Sequence, residues 1–323
     1  MAPLTRRMTL GAPMLLAAGT GRAQGRYPDR PVRLVVPYAA GTAADVLTRQ
    51  VAQPLSELLG QPVVVDNRAG AGGIVGAEHV ARATPDGYTI LSTGNTTQAI
   101  NVSLYRSLPY DPLRDFTPVA RVATQPMILV VNATVPARDL RELVALARTR
   151  PGAMNYASTG AGTPAHLGGE LLRSLAAIDI VHVPYNGGQV FTDLIAGTTA
   201  MMFSPYPLLK GFVEKGQLRA IAICAPERAT WLPGVPTTAE QGMPGLLMAA
   251  WYGAYGPARL PTPILQTLTE VYRQTLSRQT IIDAFRQSGT EPFYAPPEEL
   301  GQFTTTEIER YRPIIEASGA RVG

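Results

Sequence analysis

Short apolar runs that alternate with amphipathic segments constrain the fold of this chain most. The run Pro31–Pro37 is typical of a buried parallel strand, and Leu47, Val51 and Leu55 then fall on one face of a helix that Gly60 is placed to end. Two further apolar runs enclose a second helical segment within the first hundred residues. This order predicts an α/β fold with a mostly parallel sheet that is covered by helices on both faces.

A second set of alternating elements begins near Gln125, and 323 residues are enough for two domains that each have a core. From the periodicity alone, the two units could follow one another, or the chain could cross between them twice. The predicted strands of this second set are 127–131, 155–157, 179–183 and 201–203, and its predicted helices are 139–149, 163–176 and 189–196.

The N-terminus has the composition of an export signal. Arg6–Arg7 precedes the apolar stretch Leu10–Ala18, and small residues up to Ala23 suit cleavage before Gln24. We predict that residues 1–23 are a signal peptide and that the protein is periplasmic, by either the Sec or the twin-arginine route. No later segment offers about 18 consecutive uncharged apolar residues, so the sequence predicts a soluble mature protein.

Charge and cysteine content argue against two further classes of protein. Residues 24–323 contain 25 basic and 24 acidic residues without a basic run, which makes nucleic acid an unexpected partner. Cys224 is the only cysteine, so the chain cannot form an internal disulfide. The apolar run 218–225 around it predicts a buried structural thiol. We expect a monomer.

Three apolar strands end in small residues that open a helix, at Tyr38–Asp45, Ser158–His166 and Tyr185–Gln189. The first amide groups of a helix have no intrahelical acceptor, and the helix N-terminus carries about half a positive charge. Such loops therefore stabilise a carboxylate without a cationic side chain. In open parallel sheets they lie at the carboxyl ends of the strands, where ligands bind. Each loop taken singly is better explained as an ordinary helix cap, but together they indicate an anion site.

Other chemistry has weaker support in the sequence. Gly70–Gly76 follows a strand, but its last glycine comes one residue too late for a dinucleotide-binding loop, which favours a helix entry or a tight turn. His79, His166 and His182 are far apart in the sequence and lack the spacing of a metal site. We therefore predict a protein without metal, cofactor or catalytic residues. A nucleotide-dependent enzyme that uses Gly70–Gly76 is the remote alternative.

At the same loops the sequence resembles the Bug family, the extracytoplasmic solute receptors of tripartite tricarboxylate transporters. The matching stretches occur in the same order from Tyr27 almost to the C-terminus, which is far more specific than any single motif. They are Tyr27–Asp45, Gly60–Gly73, Ala83–Thr89, Pro151–Ser158, Gly160–Leu167, His182–Gly188 and Leu232–Gly242.

The resemblance implies a periplasmic-binding-protein fold with two α/β lobes and a ligand cleft between them. It places residues 27–124 and 225–323 in lobe 1 and residues 125–224 in lobe 2. It implies that a small carboxylated molecule is captured for membrane permease subunits or, alternatively, presented to a sensor protein. The residues implied to hold the ligand, mainly through backbone groups and water, are Tyr38, Ala39, Ala40, Gly41, Thr42, Asp45, Ser158, Thr159, Gly160, Gly162, Thr163, His166, Tyr185, Asn186, Gly187 and Gly188.

Several positions depart from the family pattern and leave the identity of the ligand open. Thr42 stands where a second glycine is usual, and Tyr38 stands where phenylalanine is commoner. Ala69 replaces a usual proline, and Thr198–Ala200 lacks a usual acidic residue.

Overall fold

The computed structural model describes residues 27–185 and 188–320. The predicted signal peptide, residues 1–23, lies outside the described residues, as do the predicted site residues Asn186 and Gly187. The strands within the described ranges are β1 (Val32–Val36), β2 (Val63–Asn67), β3 (Thr89–Gly94), β4 (Phe116–Asn132), β5 (Met154–Ser158), β6 (Ile180–Pro184), β7 (Met201–Pro205), β8 (Leu218–Ile223), β9 (Ala249–Pro257) and β10 (Glu291–Ala295).

Helices connect most of these strands. A 3₁₀ turn at Ala71–Gly73 precedes the second helix, and a π-helical turn at Thr96–Ile100 precedes the third. The α-helices are α1 (Ala43–Leu59), α2 (Ile74–Ala81), α3 (Asn101–Leu104), α4 (Leu140–Thr149), α5 (Pro164–Ala176), α6 (Gln189–Ala196), α7 (Tyr206–Glu214), α8 (Thr262–Leu276), α9 (Gln279–Gln287) and α10 (Pro297–Ser318).

The strands pair in the order β2-β1-β3-β9-β4-β7-β5-β6, and β8 and β10 each pair with β4. At one end of the sheet β1 is parallel to β2 and β3, and at the other end β5 is parallel to β6 and β7. In the middle, β9 and β4 run antiparallel to their neighbours. The sheet therefore contains two parallel α/β units, and the predicted α/β class is confirmed.

Strand β4 belongs to both units. Its first part, Phe116–Pro126, pairs with β9, and its second part, Met127–Asn132, pairs with β7 and β8. The chain then returns to the first unit between β8 and β9. These pairings support lobe boundaries near residues 125 and 225, and the division into lobes stays a prediction.

Apolar side chains hold the elements together as the sequence pattern predicts. Leu47, Val51 and Leu55 of α1 are each at most 3% exposed and belong to one core cluster with side chains of β1. Gly60 ends α1 in the left-handed conformation, with φ +66°, which glycine adopts without a steric penalty. Cys224 is buried, as predicted, and burial raises the pKa of its thiol.

In the part of the chain that the structure describes, no helix is both long enough and apolar enough to cross a membrane.

Candidate functional site

Three of the connections that leave parallel strands carry the predicted site residues. The first loop, residues 38–45, follows β1, and the second loop, residues 158–166, follows β5. The third segment, residues 185–188, follows β6. Because β5 and β6 are parallel and pair Ser158 with Pro184, the second loop and the third segment leave the same edge of the sheet.

The first loop presents backbone at the surface. Residues 39–42 are exposed, and Gly41 has φ +83°, a conformation that favours glycine. Thr42 is the N-cap of α1, but its hydroxyl donates to the carbonyl oxygen of Ala39 at 2.8 Å and makes no capping bond. The first amide groups of α1 therefore have no side-chain acceptor at the N-cap, and they remain available to a ligand or to water.

Asp45 is buried beneath the first loop and holds its backbone. Asp45 is 2% exposed, and its side chain accepts the Gly41 amide at 2.9 Å. It also accepts hydrogen bonds from Arg49 and from the Asn67 amide group, the latter at 2.9 Å. Burial alone would raise the pKa of the Asp45 carboxyl, but the hydrogen bonds from Arg49, Gly41 and Asn67 outweigh it and hold that pKa below its ordinary value. The carboxylate is ionised and fully engaged within the protein.

The second loop repeats this arrangement. Gly162 has φ +75°, and its amide donates to Nδ1 of His166 at 3.0 Å. Thr163 is the N-cap of α5, and its hydroxyl donates to the carbonyl oxygen of Gly160 at 2.7 Å. Pro164 occupies the first turn of α5, where a proline is favoured because its missing amide has no intrahelical acceptor in any case. Thr163 also accepts the His166 amide at 3.4 Å, a long capping bond that has no counterpart in the first loop.

Below the second loop the rings of His166 and His182 stack with centroids 3.9 Å apart. Nε2 of His182 lies 2.6 Å from the hydroxyl of Ser158, which is itself fully buried. Burial lowers the pKa of both imidazoles, to about 4 for His182, where the neighbouring His166 lowers it further. Both rings are therefore neutral near pH 7, and the sequence spacing gave no sign of this pair.

The third segment is tied to the second loop through the backbone. The Tyr185 amide donates to the carbonyl oxygen of Ser158 at 2.9 Å. The Tyr185 hydroxyl donates to Asp193 of α6 at 2.9 Å, and Gly188 is the N-cap of that helix. The space in front of Gly188 is open, since a methyl group placed on it would meet nothing within 4 Å.

A chain of contacts links the first loop to the second. The ring of Tyr38 lies beside Thr97 in the π-helical turn, near the carboxyl end of β3. Leu104, at the end of the following helix α3, packs against Gly162, where an added methyl group would lie 2.7 Å from its side chain. Residues 96–104 therefore connect the two loops. Sequence reasoning assigned no function to this segment.

Two more residues support the loops and were not predicted. Asn67 donates to the Tyr38 carbonyl oxygen at 3.1 Å as well as to Asp45, and His182 contacts Ser158. Both lie in stretches that match the Bug pattern, which is the signal that could have identified them. Of the predicted site residues, Thr159 is exposed, whereas Ser158 and His166 lie beneath the surface.

The glycine run 70–76 forms a helix entry. Gly70, Gly72 and Gly73 have positive φ around the 3₁₀ turn that leads into α2. Gly76 lets α2 approach the end of β1, because a methyl group there would lie 2.8 Å from the Cα of Pro37. These glycines are explained by turn geometry and close packing.

The sequence matches the family model described as "Tripartite tricarboxylate transporter family receptor" over residues 47–320. BugT of Bordetella pertussis is 36% identical over 300 residues, which cover 92% of this chain and 91% of that protein. A UPF0065 protein from the tcbD-tcbE intergenic region of Pseudomonas sp. strain P51 is 36% identical over 314 residues, covering 96% of this chain and 93% of its own.

Solved structures resemble the fold over most of its length. The R. palustris protein Rpa4515, solved with adipate, is 33% identical with a TM-score of 0.78, over 91% of this chain and 98% of its own. MatC from Rhodopseudomonas palustris, solved with bound malate, is 31% identical with a TM-score of 0.73, over 90% of this chain and 100% of its own. The periplasmic binding protein BugD is 29% identical with a TM-score of 0.74, over 91% of this chain and 99% of its own.

Proposed function

Because the chain belongs to the family of tripartite tricarboxylate transporter receptors, which are solute-binding proteins, we propose that it captures a small organic carboxylate in a cleft between two lobes. Lobe 1 would comprise residues 27–124 and 225–323, and lobe 2 residues 125–224. The passage of β4 from one half of the sheet to the other supports this division, and a hinge between the lobes would lie within this strand.

The observation that carries the proposal is the repeated geometry of the two loops. Each presents the N-terminus of a helix after a glycine with positive φ, and each keeps its supporting side chain buried. A carboxylate in front of such a helix gains hydrogen bonds from free amides and about 0.3–1 kcal/mol from the helix dipole. A ligand with a carboxylate would therefore be held chiefly by backbone groups and bridging water.

The structures with adipate and malate support a dicarboxylate as the first class of ligand to test. We expect adipate or malate to bind the mature protein in isothermal titration calorimetry. At 100 times its Kd the ligand should stabilise the fold by about 2.7 kcal/mol in a thermal-shift experiment. Adipamide, the uncharged diamide of the same length as adipate, is the matched control and should bind at least about tenfold more weakly. Failure of both acids, or equal binding of adipamide, would contradict a carboxylate site.

The arrangement around Ser158 favours binding over catalysis. Its hydroxyl and His182 form a pair that could be mistaken for a nucleophile and its base. Ser158, however, is fully buried, and its oxygen accepts the Gly160 amide at 3.1 Å. A substrate has no access to this oxygen, so the pair supports the loop. We propose that the protein is a receptor without enzymatic activity.

Export and delivery to a permease complete the proposed role. We propose that the mature protein is periplasmic and delivers its ligand to membrane permease subunits, which the match to a family of transporter receptors supports. We expect the intact mass of protein isolated from the periplasm to correspond to a chain that begins at or near Gln24. A periplasmic protein that keeps Arg6–Arg7 would contradict a cleaved signal peptide.

A further inference from the structure

The first and second loops have the same pattern of hydrogen bonds, although their sequences differ. Ala39–Asp45 and Gly160–His166 both place a glycine before a threonine N-cap, and the third helical residue accepts the glycine amide. In both loops the threonine amide and hydroxyl donate to the carbonyl oxygen three residues earlier. The amide distance is 3.4 Å in each case, and the hydroxyl distances are 2.8 and 2.7 Å. The acceptor is a carboxylate in the first loop and an imidazole in the second.

We propose that Asp45 and His166 are equivalent positioning residues, which shape the two ligand-binding loops by holding the amides of Gly41 and Gly162 and do not themselves contact the ligand. The proposal rests on the proposed function of these loops. Both residues would then affect ligand binding only through the backbone conformation of their loops.

The side chains of Asp45 and His166 are buried beneath the loop surface and already contact other residues of the protein. Asp45 is 2% and His166 is 4% exposed. Both carboxylate oxygens of Asp45 already accept hydrogen bonds, from Gly41, Arg49 and Asn67. The His166 ring is covered on one side by His182. Each side chain instead turns a glycine amide back towards its own helix. In α1 the first amides are left without a side-chain acceptor at the N-cap. In α5, Pro164 has no amide and His166 donates to Thr163, so that of the first three residues Ala165 carries the amide that has no side-chain acceptor.

The two acceptors differ in their response to acid. Nδ1 of His166 accepts the Gly162 amide only while that nitrogen is unprotonated. Burial lowers the pKa of His166, against the attraction of Glu170, and Arg173 lowers it further. His182 on β6 and Tyr156 on β5 also stack near this ring, and on α10, which packs against α5, Glu307 and Arg310 pair with each other. Acid should therefore release Gly162 while ionised Asp45 still holds Gly41.

Amide hydrogen exchange of the ligand-free mature protein, followed by NMR, tests this proposal directly. At pH 7.5, His166→Ala should speed exchange of the Gly162 amide by about tenfold, the equivalent of one lost hydrogen bond, and should leave the Gly41 amide unchanged. His166→Asn should retain protection, because its side-chain oxygen can replace Nδ1. Asp45→Ala should speed exchange of the Gly41 amide and leave the Gly162 amide unchanged. If this variant fails to fold, Asp45→Asn, which keeps a side-chain oxygen as acceptor, is measured in its place.

A pH titration separates positioning from a general structural role. The pKa of His166 in the folded protein lies below its ordinary value, so as the pH falls the imidazole is protonated in the unfolded chain before it is protonated in the folded protein. The free energy of unfolding therefore decreases as the pH falls. As the pH falls from 7.5 through the lowered pKa of His166, the Gly162 amide shift of the wild type should titrate, whereas the Gly41 amide shift should not respond to His166. In His166→Asn the part of the Gly162 titration that comes from the His166 imidazole should disappear, which leaves any contribution from His182. Unchanged Gly162 exchange in His166→Ala, or an unchanged titration in His166→Asn, would overturn the proposal.

Binding of adipate adds a functional measurement. We expect His166→Ala to weaken adipate binding by about tenfold and His166→Asn to stay within about threefold of the wild type. Equal loss in both variants would show that the imidazole contacts the ligand and would overturn the positioning role. If the wild type fails to bind adipate, that result counts against the ligand class in the proposed function, and the exchange experiment still decides the positioning role.

Discussion

Gly41→Val should weaken ligand binding by at least about 100-fold, an effect of about 2.7 kcal/mol, and leave the protein folded. Gly41 has φ +83°, which a β-branched residue adopts only with strain. A methyl group placed on it would meet nothing within 4 Å, so the new side chain would extend into the open space before the first loop. Titration calorimetry with adipate or malate would measure the loss, and circular dichroism would confirm the fold.

Gly60→Val is the matched control for this substitution. Gly60 lies at the opposite end of α1 with φ +66°, and it too has open space around it. Its substitution should cause the same loss of stability, about 1–2 kcal/mol, without a loss of affinity. Thr42→Ala removes one hydroxyl bond to Ala39 and should reduce affinity only about 2- to 13-fold. Binding by Gly41→Val within about threefold of the wild type would contradict a backbone-held ligand.

Gly94→Ala should destabilise the fold by at least about 3 kcal/mol, because it would force two paired strands apart. Gly94 ends β3 and pairs with Tyr252 of β9. A methyl group on Gly94 would overlap the carbonyl oxygen of Trp251 and lie 2.9 Å from its carbonyl carbon. Both atoms belong to the backbone, so no side-chain rotation relieves the overlap. Urea denaturation followed by circular dichroism would measure the change.

Gly211→Ala tests whether any glycine substitution has this effect. Gly211 lies inside α7, where an added methyl group meets nothing within 4 Å. Alanine is the better helix former, so this variant should gain about 0.5–1 kcal/mol. An unfolding midpoint of Gly94→Ala close to that of the wild type would show that β3 and β9 do not approach as closely as the structure shows.

The sequence was sufficient to predict the elements in which apolar periodicity and end signals agree. Strand β1 and the buried face of α1 were predicted from spacing, and Gly60 was predicted as the end of that helix. Cys224, which lies in an apolar run, was predicted to be buried and is 1% exposed. At these positions the local sequence preference and the burial in the fold agree, so tertiary packing does not change the predicted element.

The first part of β4 was not predicted because its sequence contains prolines. Only residues 127–131 were expected to form a strand, whereas β4 runs from Phe116 to Asn132. Pro118 and Pro126 are disfavoured inside a strand because each lacks an amide donor. In the fold, Pro118 adjoins an irregularity in the pairing with β9, and Pro126 ends the part of β4 that pairs with β9. The irregular pairing at Pro118 and the change of partner strand at Pro126 depend on β9 and β7, so the local sequence does not reveal them.

The candidate site was predictable at the level of loops and unpredictable at the level of contacts. Small residues after β1 and β5 predicted helix entries, and helices α1 and α5 begin there, with Thr42 and Thr163 as their N-caps. The stacking of His166 on His182 depends on the parallel pairing of β5 with β6, which brings together residues 16 positions apart. Spacing rules for metal or catalytic sites contain no information on such a contact.

A crystal structure of the mature protein with bound adipate or malate would show directly whether the first and second loops hold the ligand. We expect the ligand to lie between the first and second loops. A carboxylate should be about 2.7–3.2 Å from first-turn amides of α1 or α5, or be joined to them by one water molecule. A ligand seated away from both loops, or one held by a cationic side chain without contact to these amides, would contradict it.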